Sequence, residues 1–382
     1  MLLIGCTHSP DIQRLDGSSI DPEALDAQVR RLMEEASVTG LGITVFNRTQ
    51  PVYQRAYGYA DAETQDSLQI EDVIYGASFS KAVFGYLVAQ LADSGLIDLD
   101  TPLQSYLDIP IPELPLDKEY RRLDALASDD RYKQITARMC LSHTTGLPNW
   151  RWIEDDKQLK YLYNPGERYN YSGEGMMILQ WVIEEITGQS LEDLADERVF
   201  IPLRMERSSY LWKPEFEDHV CFGHQDGHRK IPRRRESEEA GAAGSLETTL
   251  ADYSRFLTHI LTLESQGSPI TQLMFSPNIR IRSQAQFGPL SHRDTTAHDE
   301  IELSYGLGWG LLQSTYGPGV FKEGHDDGFQ HYSILFPAQE LGIVIMTNSD
   351  NGESIFKELL EMAIGDTFTP WRWEHYIPYQ MK

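Results

Sequence analysis

The sequence predicts an α+β protein, in which an antiparallel sheet is flanked by helices and joined to a mainly helical region. Strand-like runs of apolar and aromatic residues lie at 41–60 and at 305–348, near opposite ends of the chain. The middle of the chain shows mainly helical spacing of its apolar residues. At 382 residues the chain can bury a large core, as one domain or as two closely joined ones.

The N-terminal elements begin after a segment, residues 7–20, that we expect to be a loose tail. The spacing of Leu25, Val29 and Leu32 predicts a helix from Pro22 to Glu35. Two strands follow, at 41–46 and 52–60. A turn at 47–50 would join them as a hairpin.

The next helix carries the first chemical motif. Apolar residues follow Ser78 at helical spacing up to Gly95, which predicts a buried helix that begins at Ser78. The Ser78 hydroxyl suits the N-terminus of a helix, where it can satisfy free backbone N–H groups. Lys81, one turn on, shares its face. Burial and the helix dipole both disfavour a charge on Lys81, so its amine could act as a base for the serine.

The elements after residue 100 change from helices to strands. A short helix ends near Leu107, and helical material is predicted for 120–142, Gly173–Thr187 and Ser190–Arg198. A hairpin with an Asp-Gly turn is predicted at 222–228, and a helix near 248–262. Three strands (305–311, 332–336 and 341–348) precede a final helix, Ser354–Ile364, and an aromatic tail, 371–376, that we expect to pack on the surface.

Two later segments could complete a site for acyl transfer. Tyr171 lies in a loop before a helix, where it could relay a proton if a nearby lysine lowers its pKa. Lys322 to His325 lie in the strand-rich part, where a strand could present backbone N–H groups to an oxyanion.

Together these motifs resemble the serine β-lactamase and penicillin-binding protein superfamily, in particular its class C β-lactamase-related branch. The resemblance covers about residues 20–365. The matching segments, in chain order, are Ser78-Phe79-Ser80-Lys81, Leu141-Ser142-His143-Thr144-Thr145-Gly146-Leu147, Pro165-Gly166-Glu167, Tyr171-Ser172-Gly173, Ala243-Gly244-Ser245, Tyr305-Gly306-Leu307-Gly308-Trp309 and Lys322-Glu323-Gly324. Several motifs in the right order are far more specific than any one of them.

The resemblance implies a β-lactamase/transpeptidase-like fold. Residues 21–100 and 236–382 would form the α/β domain, residues 101–235 the mainly helical domain, and residues 1–20 an N-terminal tail. The reactive site would lie between the two domains.

The resemblance also implies catalytic roles for four residues. Ser78 would attack a carbonyl and become acylated, Lys81 and Tyr171 would share the acid and base work, and Lys322 would support the electrostatics. The backbone N–H groups of Ser78 and His325 would form the oxyanion hole.

Gly173, Glu323 and Gly324 would border the substrate, and two of them depart from the family pattern. The second motif usually ends in Asn, but Gly173 offers no side chain. The third motif usually has Thr or Ser where this chain has Glu323, whose charge would repel a β-lactam carboxylate. Both departures argue against an efficient β-lactamase, and a neutral ester or an amide with a free amine would fit Glu323 better.

Composition and cysteines limit the partners. A net charge of −25 argues against nucleic acid as a partner. No metal or other cofactor is expected, because the histidines near 219–228 match an ordinary hairpin of the family.

Whether Cys140 and Cys221 pair is left open. Residues 3–6 resemble a lipobox, so the sequence allows either a lipid anchor through Cys6 in the cell envelope or a soluble cytoplasmic protein.

The sequence therefore predicts a serine hydrolase that acts through a Ser78 acyl-enzyme on an ester or amide, as an esterase or a D-amino-acid peptidase or amidase. Its substrate would be a small molecule or a peptide. The first alternative is a true class C-like β-lactamase or D,D-carboxypeptidase. The second is a non-catalytic binding protein that retains the fold. Trp150 and Trp152 could line the entrance, or merely pack.

Overall fold

The computed structural model describes residues 11–116, 121–232 and 239–381. The strands are β1 Ile12–Gln13, β2 Ser19–Ile20, β3 Gly40–Asn47, β4 Gln50–Asp61, β5 Asp66–Ser67, β6 Ile74–Ala77, β7 His224–Gln225, β8 Arg229–Lys230, β9 Leu246–Thr248, β10 Ile279–Arg280, β11 Ser304–Tyr305, β12 Gly310–Ser314, β13 Gly317–Asp326, β14 Phe329–Phe336 and β15 Leu341–Thr347. The helices are α1 Pro22–Ala36, α2 Phe79–Asp93, α3 Ala137–Leu141, α4 Gly173–Thr187, α5 Leu191–Ala195, α6 Ile201–Leu203, α7 Leu250–Ser265, α8 Pro269–Met274 and α9 Phe356–Ala363. Cys6 and the lipobox resemblance lie outside the described residues.

One antiparallel sheet joins the two ends of the chain. Its nine strands run in the order β10-β11-β12-β13-β14-β15-β3-β4-β5, so the N-terminal hairpin β3–β4 pairs with the last strand, β15. Both β3 and β15 are buried along their whole length, which their nearly continuous apolar sequences explain. The sheet thus confirms the predicted α+β class and its antiparallel strands.

Two hydrophobic cores lie on the two faces of this sheet. One contains α2, α4 and α7 and includes Phe79 and Phe256. The other contains α1 and α9 and includes Leu359 and Trp373. Helix α2, with nearly every residue buried, is held in the first core. No helix within the described parts of the chain is long and apolar enough to cross a membrane.

Several local expectations were wrong. Residues 11–20 form the β1–β2 hairpin with Ile12 fully buried, where a loose tail was expected. The C-terminal tail was expected on the surface, but it buries Trp373 completely and Tyr376 almost so. The region 121–142 has only 3-10 turns before α3, and short apolar periodicity does not distinguish such turns from a helix.

Candidate active site

The approach to Ser78 is a bent backbone between β6 and α2. Ala77 adopts a left-handed conformation (φ +46°), which is uncommon for a residue with a side chain and turns the chain sharply before the helix. Ser78 precedes the first turn of α2, but its hydroxyl makes no capping hydrogen bond, so the predicted capping role is wrong. The neighbouring Ser80 hydroxyl bonds the carbonyl of Ala77 and accepts the N–H of Leu246 instead. The hydroxyl of Ser78 is therefore not engaged as a helix cap.

Two side chains converge on that hydroxyl. The Nζ of Lys81 lies 2.9 Å from the Oγ of Ser78, and the phenol of Tyr171 donates to the same oxygen at 2.9 Å. The Nζ of Lys81 also donates to the carbonyl of Ala243 at 2.5 Å. The structure thus brings together three of the four residues predicted as catalytic: Ser78 and Lys81 from the start of α2, and Tyr171 from the loop before α4.

Lys81 is suited to accept a proton. It is fully buried, and this burial holds its pKa well below the ordinary value, with a further lowering by the charge of Lys322. Glu323 opposes the shift. The shift makes the neutral amine, the form that can act as a base, easier to reach than in an exposed lysine.

Tyr171 keeps its proton. Burial raises its pKa well above the ordinary value, and the charge of Glu323 raises it further. The expectation that a lysine lowers this pKa is wrong, although the Nζ of Lys322 lies 3.5 Å from the phenol oxygen. The ring of His143 stacks on Tyr171 with 4.2 Å between ring centroids, and its Nδ1 accepts the N–H of Ser172. His143, which lies in the second of the matching segments, thus helps to hold the tyrosine in place.

The third motif brings a buried ion pair to the site. Lys322 and Glu323 are joined at 2.6 Å between Nζ and Oε1, and both are almost fully buried. Burial lowers the pKa of Lys322, while Glu323 opposes this. Glu323 borders the cleft beside Ser78, and its Oε2 has no partner within hydrogen-bonding geometry among the described residues. A buried, ion-paired carboxylate therefore borders the cleft where substrate would bind.

Glu374 was missed by sequence reasoning. It lies in the buried C-terminal tail, and neither of its carboxylate oxygens has a hydrogen-bond partner among the described residues. Burial raises its pKa well above the ordinary value, and Glu323 raises it further. Nothing in the local sequence indicates this, because only the packing of the tail places the residue near Glu323.

Gly324 and His325 complete the cleft on β13. A Cβ at Gly324 would lie 2.9 Å from the carbonyl oxygen of Gly76, so only glycine lets β13 approach β6 this closely. His325 borders the cleft, and its ring lies 3.2 Å from Glu353, which raises the pKa of the histidine. The oxyanion hole formed by the N–H groups of Ser78 and His325 stays a prediction.

Gly173 lies against an aromatic ring. A Cβ at Gly173 would meet the indole of Trp150 at 2.7 Å, so this ring occupies the space where a side chain would project. Trp150 in turn stacks on Trp152, with 4.7 Å between ring centroids. At position 173, where the family usually has an amide side chain, the indole ring of Trp150 therefore forms the surface instead.

The cleft around Ser78 has a volume of about 400 Å³. Its other lining residues include Tyr75, Asn149, Phe287 and Asp326. Cys140 and Cys221 are both buried and unpaired. The described ranges hold no group of three or more His, Cys, Asp or Glu side chains arranged to hold a metal ion.

Several known proteins are similar to this chain in sequence. A family model described as Beta-lactamase matches residues 25–363. Penicillin-binding protein 4 of Amycolatopsis lactamdurans is 24% identical over 354 residues, covering 88% of this chain and 87% of the relative. The D-alanyl-D-alanine-carboxypeptidase/endopeptidase AmpH of Escherichia coli K12 is 22% identical over 352 residues, covering 86% and 84%.

Solved structures show the same fold. The octameric penicillin-binding protein homologue from Pyrococcus abyssi superposes with a TM-score of 0.71 at 19% identity, covering 93% of this chain and 80% of that one. The D-alanine carboxypeptidase AmpC from Burkholderia cenocepacia gives a TM-score of 0.63 at 19% identity, covering 85% and 93%.

Proposed function

Because this chain belongs to the beta-lactamase family and is a serine hydrolase of the acyl-enzyme type, we propose that Ser78 is acylated by an ester or amide that is neutral or carries a free amine. The observation that carries this proposal is the placement of two side chains on one serine oxygen: Lys81, whose pKa is lowered, and Tyr171, whose pKa is raised. A base and an acid on the same oxygen are what acylation and deacylation require.

The proposed reaction has two halves. Lys81 removes the proton of Ser78, and the Oγ of Ser78 bonds to the carbonyl carbon of the substrate. The carbonyl oxygen then becomes an oxyanion. Backbone N–H groups of Ser78 and His325 stabilise that charge. The tetrahedral intermediate collapses as the bond to the leaving group breaks, and Tyr171 gives the leaving group its proton, which Lys81 replaces. Water then attacks the acyl-enzyme with Lys81 as base, and the acid leaves as Ser78 regains a proton.

The charge on the cleft wall supports the proposed substrate class. Glu323, which is paired with Lys322, and Asp326 both line the cleft. A carboxylate on the substrate would be repelled there, whereas an ammonium group would be attracted. A β-lactam or a peptide ending in D-alanine carries such a carboxylate. The relatives include a penicillin-binding protein and a D-alanyl-D-alanine-carboxypeptidase/endopeptidase, so the test below includes a penicillin as the anionic alternative.

The test is the intact mass of the protein, together with turnover, after exposure to a penicillin, a neutral aryl ester and an activated D-alanyl ester. We expect acylation or turnover with the two esters and its loss in Ser78→Ala. Reaction with penicillin instead would favour a β-lactamase or a D,D-carboxypeptidase. No Ser78-dependent reaction with any reagent would favour a non-catalytic binding protein.

The role of Glu323 has its own test. Glu323→Thr, which places the usual family residue there, should lower kcat/KM for the D-alanyl ester relative to the neutral ester. It should also improve reaction with the anionic penicillin. Asp326→Asn is the charge-matched control on the same wall. If Glu323→Thr leaves the preference between these substrates unchanged, or if Asp326→Asn changes it equally, Glu323 does not specifically select the charge of the substrate.

A further inference from the structure

The cleft around Ser78 opens into a second cavity of about 520 Å³. The two share Tyr75, Trp150, Ile153, Gly244 and Asp326. Beyond the shared wall, the second cavity is lined by the large apolar side chains of Trp152, Met177 and Trp181. Trp152 and Ile153 are 47% and 60% exposed, which is high for such residues and leaves apolar surface open beside the reactive serine.

The aromatic wall of this cavity is held in place by packing against Gly173 and Trp152. The Trp150 ring fills the space above Gly173 and stacks nearly parallel on Trp152, with 12° between the ring planes. Any side chain at position 173 would displace it. Where the related enzymes offer an amide, this chain therefore presents a flat apolar surface.

Several polar groups around the cavity are paired within the protein. Both carboxylate oxygens of Glu174 accept hydrogen bonds from Arg151, and Arg121 pairs with Glu239 at 2.8 Å. The phenol of Tyr75 donates to the carbonyl of Gly244. Because these groups are paired, the indole rings and Met177 provide much of the contact that the cavity offers to a ligand.

The position of Tyr171 decides which part of a substrate enters. Tyr171 lines the cleft, edge-on to Phe287, and does not line the second cavity. The proposed mechanism needs the leaving group beside Tyr171, from which it takes its proton. With the leaving group held there, the acyl part is the part of the substrate that can reach past Trp150 into the second cavity.

We propose that the second cavity is an acyl-side subsite for a bulky aromatic group, with Trp150 and Trp152 as specificity-determining residues. This inference rests on the proposed acyl-enzyme function of Ser78. The substrate class becomes an ester or amide whose acyl part ends in an aryl ring. Stacking against indole rings and removal of apolar surface from water would provide the preference.

The experiment compares the p-nitrophenyl esters of acetic acid and 3-phenylpropanoic acid, which share a leaving group. We expect kcat/KM for the aryl ester to exceed that for the acetate by at least about tenfold, since even one methylene in an apolar pocket discriminates by that order. Trp150→Ala and Trp152→Ala should each reduce this ratio. Phe287→Ala, on the wall of Tyr171, is the matched control and should slow both esters by the same factor.

Three outcomes would overturn the subsite. They are a ratio near one in the wild type, a ratio that neither tryptophan variant alters, and a ratio that Phe287→Ala lowers as much. A preference for 2-phenylethyl acetate over ethyl acetate, without one on the acyl side, would place the aryl group with the leaving group and contradict the proposal.

A binding measurement separates failure of the subsite from failure of the proposed function. Ser78→Ala, which cannot be acylated at this serine, is titrated calorimetrically with 3-phenylpropanamide and with propanamide. Tighter binding of the aryl amide, weakened in Ser78→Ala/Trp152→Ala, supports the subsite even if no ester is hydrolysed. Equal or undetectable binding of both amides overturns it, whatever the hydrolysis assays show.

Discussion

Lys81 owes its low pKa to two features that act together. Burial removes its water, and the neighbouring Lys322 adds a like charge, while Glu323 works in the opposite direction. A buried lysine alone would be a weaker guide to function than a buried lysine bonded to a nucleophile.

This arrangement predicts the pH dependence of hydrolysis. Protonated Lys81 cannot accept the serine proton, so kcat/KM should fall as pH drops through its lowered pKa, below the ordinary lysine value of about 10.4. Lys322→Met removes the like charge, which raises that pKa and moves the acid limb to higher pH. Glu323→Gln should move it to lower pH. The pH profile with a neutral ester measures both shifts.

Lys230→Met is the control for the pH profile. Lys230 is paired with Asp61 at 2.6 Å and does not border the cleft of Ser78. Its variant should leave the acid limb in place. An acid limb that neither Lys322→Met nor Glu323→Gln displaces would mean that another group controls it.

Gly173 and Trp150 should behave as a coupled pair. Gly173→Asn forces its side chain into the indole ring, and such overpacking costs about 1–3 kcal/mol of unfolding free energy. In Trp150→Ala/Gly173→Asn the space is available, so the cost of the asparagine should largely disappear. Urea unfolding of both single variants and the double variant measures the coupling. Additive effects would show that the ring does not occupy that space.

At the scale of elements, the N-terminus of α4 fixes Tyr171. The Oγ of Ser172 accepts the N–H of Gly175 and donates to the carbonyl of Pro148, both at 2.9 Å. One residue thus caps the helix and ties its start to the preceding loop. The tyrosine beside it inherits its position from this cap.

Removing the cap should affect both stability and catalysis. Ser172→Ala should cost about 1 kcal/mol of unfolding free energy and lower kcat, because Tyr171 loses its fixed position. Ser190→Ala removes the equivalent cap of α5, where Ser190 accepts the N–H of Asp193 away from the cleft. This control should lose similar stability and keep its kcat. Equal kcat in both variants would contradict a positioning role for the α4 cap.

At the scale of the whole molecule, the C-terminal tail completes a core. Trp373 is fully buried, donates from its indole to the Oγ of Ser283 at 3.1 Å, and packs near Tyr169. The family model ends at residue 363, so this packing lies outside the matched region. The tail nevertheless supports the loop that carries Tyr171.

Removing the buried side chain of Trp373 should strongly destabilise the fold. Trp373→Ala should lower the free energy of unfolding by about 3–5 kcal/mol, the usual cost of removing a large buried aromatic side chain. Trp371→Ala is the matched control, because that ring is only partly buried and should cost about 1 kcal/mol or less. Denaturant unfolding of both variants measures the difference. Similar losses would mean that the tail is not a core element.

Elements with strong local signals were predictable. The helix from Gly173 to Thr187 agrees with α4, and the strands near 41–46 and 52–60 agree with β3 and β4. Tails were not predictable, because whether Ile12 or Trp373 is buried depends on a surface made by distant segments. The proximity of Ser78, Lys81, Tyr171 and Lys322 followed from motif order and is present in the structure.

Helical and strand periodicity, which are local properties of the chain, were enough to predict the fold class. The resemblance of its ordered motifs predicted the family and the residues that meet at the site. The charge states and the shape of the cleft could be read only from the folded chain. The raised pKa of Tyr171, the place of Glu323 on the wall of the cleft and the place of Trp150 above Gly173 all depend on burial and contacts between distant residues. Such long-range packing leaves no periodic trace in the sequence.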